Sequence, residues 1–202
     1  VRVLTIDTAT SAAAIGLVID GVATDGTPVR EPAAAQHVLR ATDELLSAAG
    51  LRMRDIERIV VGRGPGSFTG VRVGLASALG LAAGLAQTPV GVITTSALRH
   101  AAGPRAVAVI DARRGEVFVE GPELELQACT PSQLVDLLPA GTLLVGDGAA
   151  RYRASFAAMS VPDDDSALHV PAAASLAALS SGGGAAAPLY VRAPDAVPTE
   201  QR

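Results

Sequence analysis

Gly62-Arg63-Gly64-Pro65-Gly66-Ser67-Phe68-Thr69-Gly70-Val71-Arg72-Val73-Gly74 is the stretch on which the reading of this chain turns. The apolar run Ile59-Val60-Val61 before it reads as a buried strand, and the alanine-rich segment Val71–Ala86 after it reads as a helix. A strand, a glycine turn and a helix in that order expose backbone N–H groups at the positive end of a helix dipole, which suits an anion. Gly64, Gly66 and Gly70 supply the backbone freedom such a turn requires, and Ser67 or Thr69 is placed to cap the first helical turn.

Established phosphate and nucleophile motifs do not fit the stretch. A P-loop ends in Gly-Lys-Ser/Thr, and this chain has no lysine. A dinucleotide fingerprint places two residues before its last glycine, whereas Ser67, Phe68 and Thr69 separate Gly66 from Gly70. A nucleophile elbow needs G-x-S-x-G, and Ser67 follows Gly66 directly. Spacing alone therefore also admits a plain tight turn feeding a closely packed helix.

Composition narrows the classes. The chain has 202 residues, 49% hydrophobic but only 2% aromatic, so its core must be built from Ala, Val, Leu and Ile. All 16 basic residues are arginine, the formal charge is -4, and no basic block occurs, which argues against a direct grip on nucleic acid. A single cysteine, Cys129, excludes an intramolecular disulfide and a cysteine-based metal site. Val1–Asp7 carries charge too early for a signal peptide, and no apolar run reaches the roughly 18 residues of a membrane span. A soluble, cytoplasmic protein is expected.

Outward from the central stretch, Val1–Ile6 reads as a strand ending at Asp7-Thr8-Ala9-Thr10, with Ala12–Ile19 as its hairpin partner. A strand-end carboxylate followed by hydroxyls resembles the first phosphate-site pattern of the actin-like ATPases and kinases. The alternative is that Asp7 merely bonds its own turn. Asp20–Ala35 reads as a loop with one weak strand; Val38, Ala41, Leu45, Leu46 and Ala49 fall at helical spacing, with His37 at the start as a surface or cap residue and Gly50 as the stop. In the central helix Gly70, Gly74, Ala78 and Ala82 recur every four residues, with Gly80 and Gly84 nearby. Each glycine costs about 1 kcal/mol relative to alanine inside a helix. The stripe therefore predicts close approach of another helix, from the same chain or from a second subunit.

Val90–Ile93 is expected as a strand and Thr95–Ala102 as a helix. His100 stands alone there, and neither H-x-x-x-H nor H-E-x-x-H occurs anywhere. The strand Arg105–Ile110 then leads to Asp111-Ala112-Arg113-Arg114-Gly115-Glu116-Val117-Phe118, repeating the N-terminal order of strand, aspartate, tight turn and strand. Asp111 reads equally as a second phosphate-site carboxylate or as part of a salt-bridged hairpin turn. Glu123–Ala128 alternates like a short strand, and Thr130-Pro131-Ser132-Gln133 carries a capping box with Pro at the first helical position. Thr142–Val145 reads as a strand ending at Gly146-Asp147-Gly148, and helices are expected over Ala149–Met159 and Pro171–Ser181, before a mobile tail Ala193–Arg202.

The central thirteen residues resemble the signature of the TsaB (YeaZ) family, a subunit of the bacterial machinery that makes threonylcarbamoyladenosine in tRNA. Asp111–Phe118 resembles that family's D-A-R-x-G-E-V-Y element, with Phe118 for tyrosine, and Gly146–Ala149 its G-D-G-A. Leu189-Tyr190-Val191-Arg192 resembles its P-x-Y-x-R ending. Residues 1–19, 36–118, 142–150 and 188–192 match in order. The resemblance implies an α/β fold of the actin-like (ASKHA, ribonuclease H-like) type with two lobes, 1–103 and 104–202, the second shortened between Val119 and Pro131.

It further implies a non-catalytic subunit that binds and supports TsaD. TsaD carries the metal and transfers the threonylcarbamoyl group to N6 of adenosine 37, and the ATPase TsaE docks on the pair. TsaD has two metal-binding histidines, four apart, where this chain has Ile93-Thr94-Thr95-Ser96-Ala97-Leu98, so no metal is expected here. The chain itself would need no cofactor, with ATP admitted only in the complex; it would form a homodimer when alone and meet tRNA only indirectly. Gly70, Arg72, Val73, Gly74 and Ser77 are the expected partner contacts, within a family surface formed by helices Val38–Ala49 and Val71–Ala86. Asp7, Thr8, Gly64, Gly66, Ser67, Asp111, Gly146 and Asp147 are the candidates for a degenerate nucleotide site. The competing functions are an ATP-dependent phosphotransferase using Asp7, Asp111 and Asp147, an M22-like peptidase, and a homodimeric scaffold with no tRNA role. Against the peptidase stand the missing histidine pair and the lack of a nucleophile motif.

Overall fold

The structure, a computed structural model, describes residues 1–29 and 37–191. Strands β1 (Arg2–Asp7) and β2 (Ala14–Ile19) form an antiparallel hairpin, with Leu4 opposite Leu17, and the exposed β3 (Val22–Asp25) extends it. Helix α1 (Val38–Ala48) leads to β4 (Arg58–Gly62), parallel to β1, and α2 (Phe68–Gly84) leads to β5 (Val90–Val92), parallel to β4. After α3 (Thr94–Ala102), a second hairpin of β6 (Val107–Arg113) and β7 (Glu116–Glu120) starts a new sheet. That sheet is completed by β8 (Gln127–Cys129) and β9 (Leu144–Val145), with α4 (Pro131–Leu137) between them. Helices α5 (Asp147–Arg151) and α6 (Ala173–Leu179) and strand β10 (Gly184–Ala185) follow. The strand orders are β10-β5-β4-β1-β2-β3 and β8-β7-β6-β9.

The period-2 alternation of the strands sends side chains to two covered faces. Leu4, Ile6, Leu17, Ile59 and Val61 pack under α1 and α2 with Leu46, Leu75 and Ala78, while Val3, Val18 and Val60 meet Ala97, Ala173 and Leu176 on the other side. In the second sheet Val107, Val109, Val117 and Val119 bury Leu134 and Phe156, and Ala108, Ile110 and Phe118 bury Leu98. Successive residues of α3 thus serve different sheets, Ala97 the first and Leu98 the second. The two sheets begin on either side of Gly103, but α6 and β10 return to the first.

Several boundaries differ from the sequence expectation. The central helix starts at Phe68 because the Ser67 hydroxyl accepts from Gly70 N at 3.2 Å, which caps it three residues earlier than Val71. The strand expected over Glu123–Ala128 shifts to Gln127–Cys129, since Gly121 and Leu124 bond each other's backbones in a turn. The helix expected over Ala149–Met159 is divided at Tyr152 into α5 and a 3-10 turn, Arg153–Phe156. The capping box is present: Gln133 N donates to Thr130 Oγ1 at 3.3 Å, and Thr130 N to Gln133 Oε1 at 2.9 Å. Residues 30–36, Arg192 and the tail Ala193–Arg202 lie outside the described residues. Among the described residues no helix is long and apolar enough to cross a membrane.

Candidate functional site

Asp7 ends β1 and is fully buried. Its Oδ1 accepts from Ala9 N and its Oδ2 from Thr94 Oγ1, both at 2.8 Å, and Thr94 Oγ1 accepts from Gly64 N at 3.2 Å. Three segments, the β1 turn, the glycine stretch and the start of α3, are thereby tied to one carboxylate. A β-carbon on Gly62 would overlap that carboxylate, which is why the strand ends in glycine. Burial pushes the Asp7 carboxyl up to about 6, against the pull of its two hydrogen bonds.

Thr8 seats α2. Its hydroxyl donates to Gly70 O at 2.6 Å. A β-carbon on Gly70 would overlap the Thr8 carbonyl oxygen, and one on Gly74 would overlap Thr8 Oγ1. The small-residue stripe therefore faces inward: Gly70, Gly74, Ala78 and Ala82 are all buried. The expected close neighbour is not a helix but the β1 turn, against which Gly70 and Gly74 are buried. Of the other expected contacts, Arg72 is exposed, whereas Val73 and Ser77 are half-buried.

Three of the N–H groups that would make the glycine turn an open anion cradle are used by the chain itself. Gly64 N goes to Thr94, Ser67 N to Ala9 O at 2.7 Å, and Gly70 N to Ser67 Oγ. Gly66 lies so close to Ala9 that a side chain would overlap its carbonyl.

The second aspartate unit faces the first across a cleft of about 330 Å3, lined by Ser11, Asp111, Arg113, Asp147, Arg151 and His169 among others. Asp111 accepts from Arg113 N at 2.9 Å and from Tyr152 OH at 3.3 Å, and it pairs with Arg113 at 3.1 Å and Arg151 at 3.4 Å. It thus makes the salt-bridged turn that was one of its two readings. Asp147 bridges the two units. Its Oδ2 accepts from Ser11 N at 2.7 Å and its Oδ1 from Asp111 N at 3.2 Å. Burial pushes its carboxyl up, partly offset by these backbone bonds. Gly146, at φ +106°, donates its N–H to His169 Nδ1 at 3.1 Å.

The structure gathers the eight nucleotide-site candidates into two groups: Asp7, Thr8, Gly64, Gly66 and Ser67 on the first sheet, and Asp111, Gly146 and Asp147 on the second. Sequence reasoning missed Ser11 and Thr94, which complete them. Thr94 stood in the hydroxyl run Thr94-Thr95-Ser96, a visible signal. Ser11 reaches Asp147 first through its backbone N–H, which no residue type announces, with its side chain a lesser contributor. His100 lies 3.1 Å from Ser175 Oγ, and among the described residues no cluster of three or more metal-ligating side chains occurs.

The outward stripe of α2 was also missed. Phe68, Arg72, Ala76, Leu79 and Ala83 share it and are exposed, Phe68 by 57% and Leu79 by 48%. The Arg72 guanidinium lies 3.3 Å from the Phe68 ring centroid, and Arg72 donates to Tyr190 OH at 2.8 Å. Tyr190 is held there because Leu189 N donates to Arg63 O at 2.8 Å.

Two sheets that each start from an aspartate-ended hairpin, with helices covering both faces, make this an actin-like α/β protein. The family described as "TsaD: tRNA N6-adenosine threonylcarbamoyltransferase" matches residues 30–130, half of the chain. The chain is 31% identical over 172 residues to the Haemophilus influenzae tRNA threonylcarbamoyladenosine biosynthesis protein TsaB, covering 74% of this chain and 73% of that protein. It is 38% identical over 122 residues to the Escherichia coli protein of the same name, covering 58% of this chain and about half, 53%, of that protein. The solved structure of YeaZ from Pseudomonas aeruginosa superposes with a TM-score of 0.72 at 26% identity, over 94% of this chain and 99% of that one. This chain belongs to the TsaB (YeaZ) family.

Proposed function

We propose that the protein acts in tRNA threonylcarbamoyladenosine synthesis as a non-catalytic subunit that binds and supports a TsaD homologue in the cytoplasm. Family membership supports the role in this modification. The observation that carries the partner role is α2. Its seventeen residues contain one charge, Arg72, and the rest of its outward stripe, Phe68, Ala76, Leu79 and Ala83, is apolar. A helix apolar all round belongs in an interior, so an exposed one presents a contact surface. Phe68, Arg72 and Tyr190 are residue types enriched in protein–protein contacts, and the exposed Leu79 further along extends their apolar area. The partner face thus lies on this stripe and not on Gly70 and Gly74. A homodimer through the same face is the state proposed for the isolated chain. TsaE docks on the heteromeric pair, tRNA is met through the partner, and ATP is used in the complex and not by this chain.

Light-scattering mass determination of the chain alone and mixed with its own organism's TsaD homologue tests this. The expected result is a heteromeric complex, weakened roughly tenfold or more by Leu79→Glu. Failure of the wild-type pair to associate, or a complex indifferent to Leu79→Glu, overturns the assignment. Magnesium-dependent ATP turnover by the pure chain would instead favour the phosphotransferase.

A further inference from the structure

We propose that Asp147 is a built-in anion in the cleft between the two sheets, occupying the pair of backbone N–H groups a phosphate group would need there. Backbone N–H groups converging from separate turns form an anion-binding arrangement. Ser11 N comes from the turn between β1 and β2, and Asp111 N from β6, and they converge on the two oxygens of one carboxylate at 2.7 and 3.2 Å. Charge-assisted bonds of this kind are about twice as strong as neutral ones, so a dissolved anion must displace a tethered competitor.

The competitor is also rigidly placed. A β-carbon on Gly148 would lie 2.8 Å from Ile110 C and 2.9 Å from Asp111 N, so the start of α5 presses directly against β6. Gly146 N is fixed by His169, and the adjacent Val170 packs on Ala12 and Ala14 of the first hairpin. At the mouth, Arg113 and Arg151 hold Asp111 with side chains 63% and 57% exposed. Without the Asp147 carboxylate, two N–H donors and two exposed guanidinium groups would face one remaining carboxylate at this point, a balance that suits a phosphate-class anion. This inference does not rest on the partner role, and either can fail without the other.

Amide NMR of the full chain titrated with inorganic phosphate, and separately with magnesium ATP, decides it. Asp147→Ala is expected to give saturable shifts of the Ser11 and Asp111 amide resonances, with affinity at least roughly tenfold above wild type. Wild type is expected to give none at those two amides. Should Asp147→Ala not fold, Asp147→Asn, which keeps the shape and one acceptor, carries the test with weaker but saturable shifts. Saturable shifts in wild type overturn the proposal, as does a folded variant that ignores both probes. A response to ATP but not to phosphate also overturns it, because the site would then be read by the nucleoside.

Discussion

Gly74→Ala probes the contact that seats α2. The new β-carbon would overlap Thr8 Oγ1, and that hydroxyl is not free to turn away because it donates to Gly70 O at 2.6 Å. Moving it forfeits a hydrogen bond worth about 1 kcal/mol, and leaving it in place overpacks the site at about 1–3 kcal/mol. Alanine recovers about 1 kcal/mol of helix propensity. The net expectation is a loss of up to about 2 kcal/mol, seen as a lower urea midpoint at unchanged slope.

Thr8→Ala removes the clashing atom, and the remaining Thr8 Cβ would stand at an ordinary 3.5 Å from the new methyl group. In that background Gly74→Ala should be neutral or stabilising, a coupling of about 1–3 kcal/mol. Gly80→Ala is the control: nothing lies within 4 Å of its β-carbon position, so it should stabilise by about 1 kcal/mol. A Gly74→Ala variant as stable as Gly80→Ala, or one whose cost is the same with and without Thr8, would refute the seating of α2 on the β1 turn.

Two further outcomes are expected. Asp7 titrates at about 6 when folded, against 3.8 as the ordinary value, so its contribution is complete below about pH 4 and is lost as pH rises through 6. The stability of wild type relative to Asp7→Asn, measured by urea unfolding, should therefore fall by about 3 kcal/mol between pH 4 and pH 7; a flat difference would show that Asp7 is not buried as an acid. Glu120 accepts from Thr95 Oγ1 at 2.5 Å, Ser96 Oγ at 3.0 Å and Arg99 at 2.8 Å, tying α3 to β7. Glu120→Ala should cost about 2–4 kcal/mol in chemical unfolding and Glu120→Gln about half of that, whereas an alanine variant as stable as wild type would mean that α3 is held by apolar packing alone.

How far the sequence was legible depends on how local each feature is. The first aspartate-ended hairpin, the strand before Gly62 and the Thr130 capping box are set by neighbours a few residues away, and each stands where its pattern placed it, whereas the second hairpin's strand runs on past Asp111 to Arg113. The glycine stripe announced a close approach but not its object, because Thr8 lies 62 residues from Gly70. Ser11 and Asp147 are 136 residues apart, and Arg72 and Tyr190 are 118 apart. No periodicity within a helix carries information about such pairs.

The glycine stripe, expected to carry partner contacts, is ambiguous for the same reason, and burial shows which side of α2 faces inward. Small residues every four positions mark where a helix is pressed against something rigid, and in a single chain that is first of all its own sheet. Once Gly70, Gly74, Ala78 and Ala82 are given to the sheet, the rest of α2 should turn polar if it faced only water. Instead it presents Phe68, Ala76, Leu79 and Ala83 around one arginine, itself stacked on an aromatic ring. The proposed partner face therefore rests on the exposed side, where apolar residues surround a single arginine, and not on the side that contains the buried glycines.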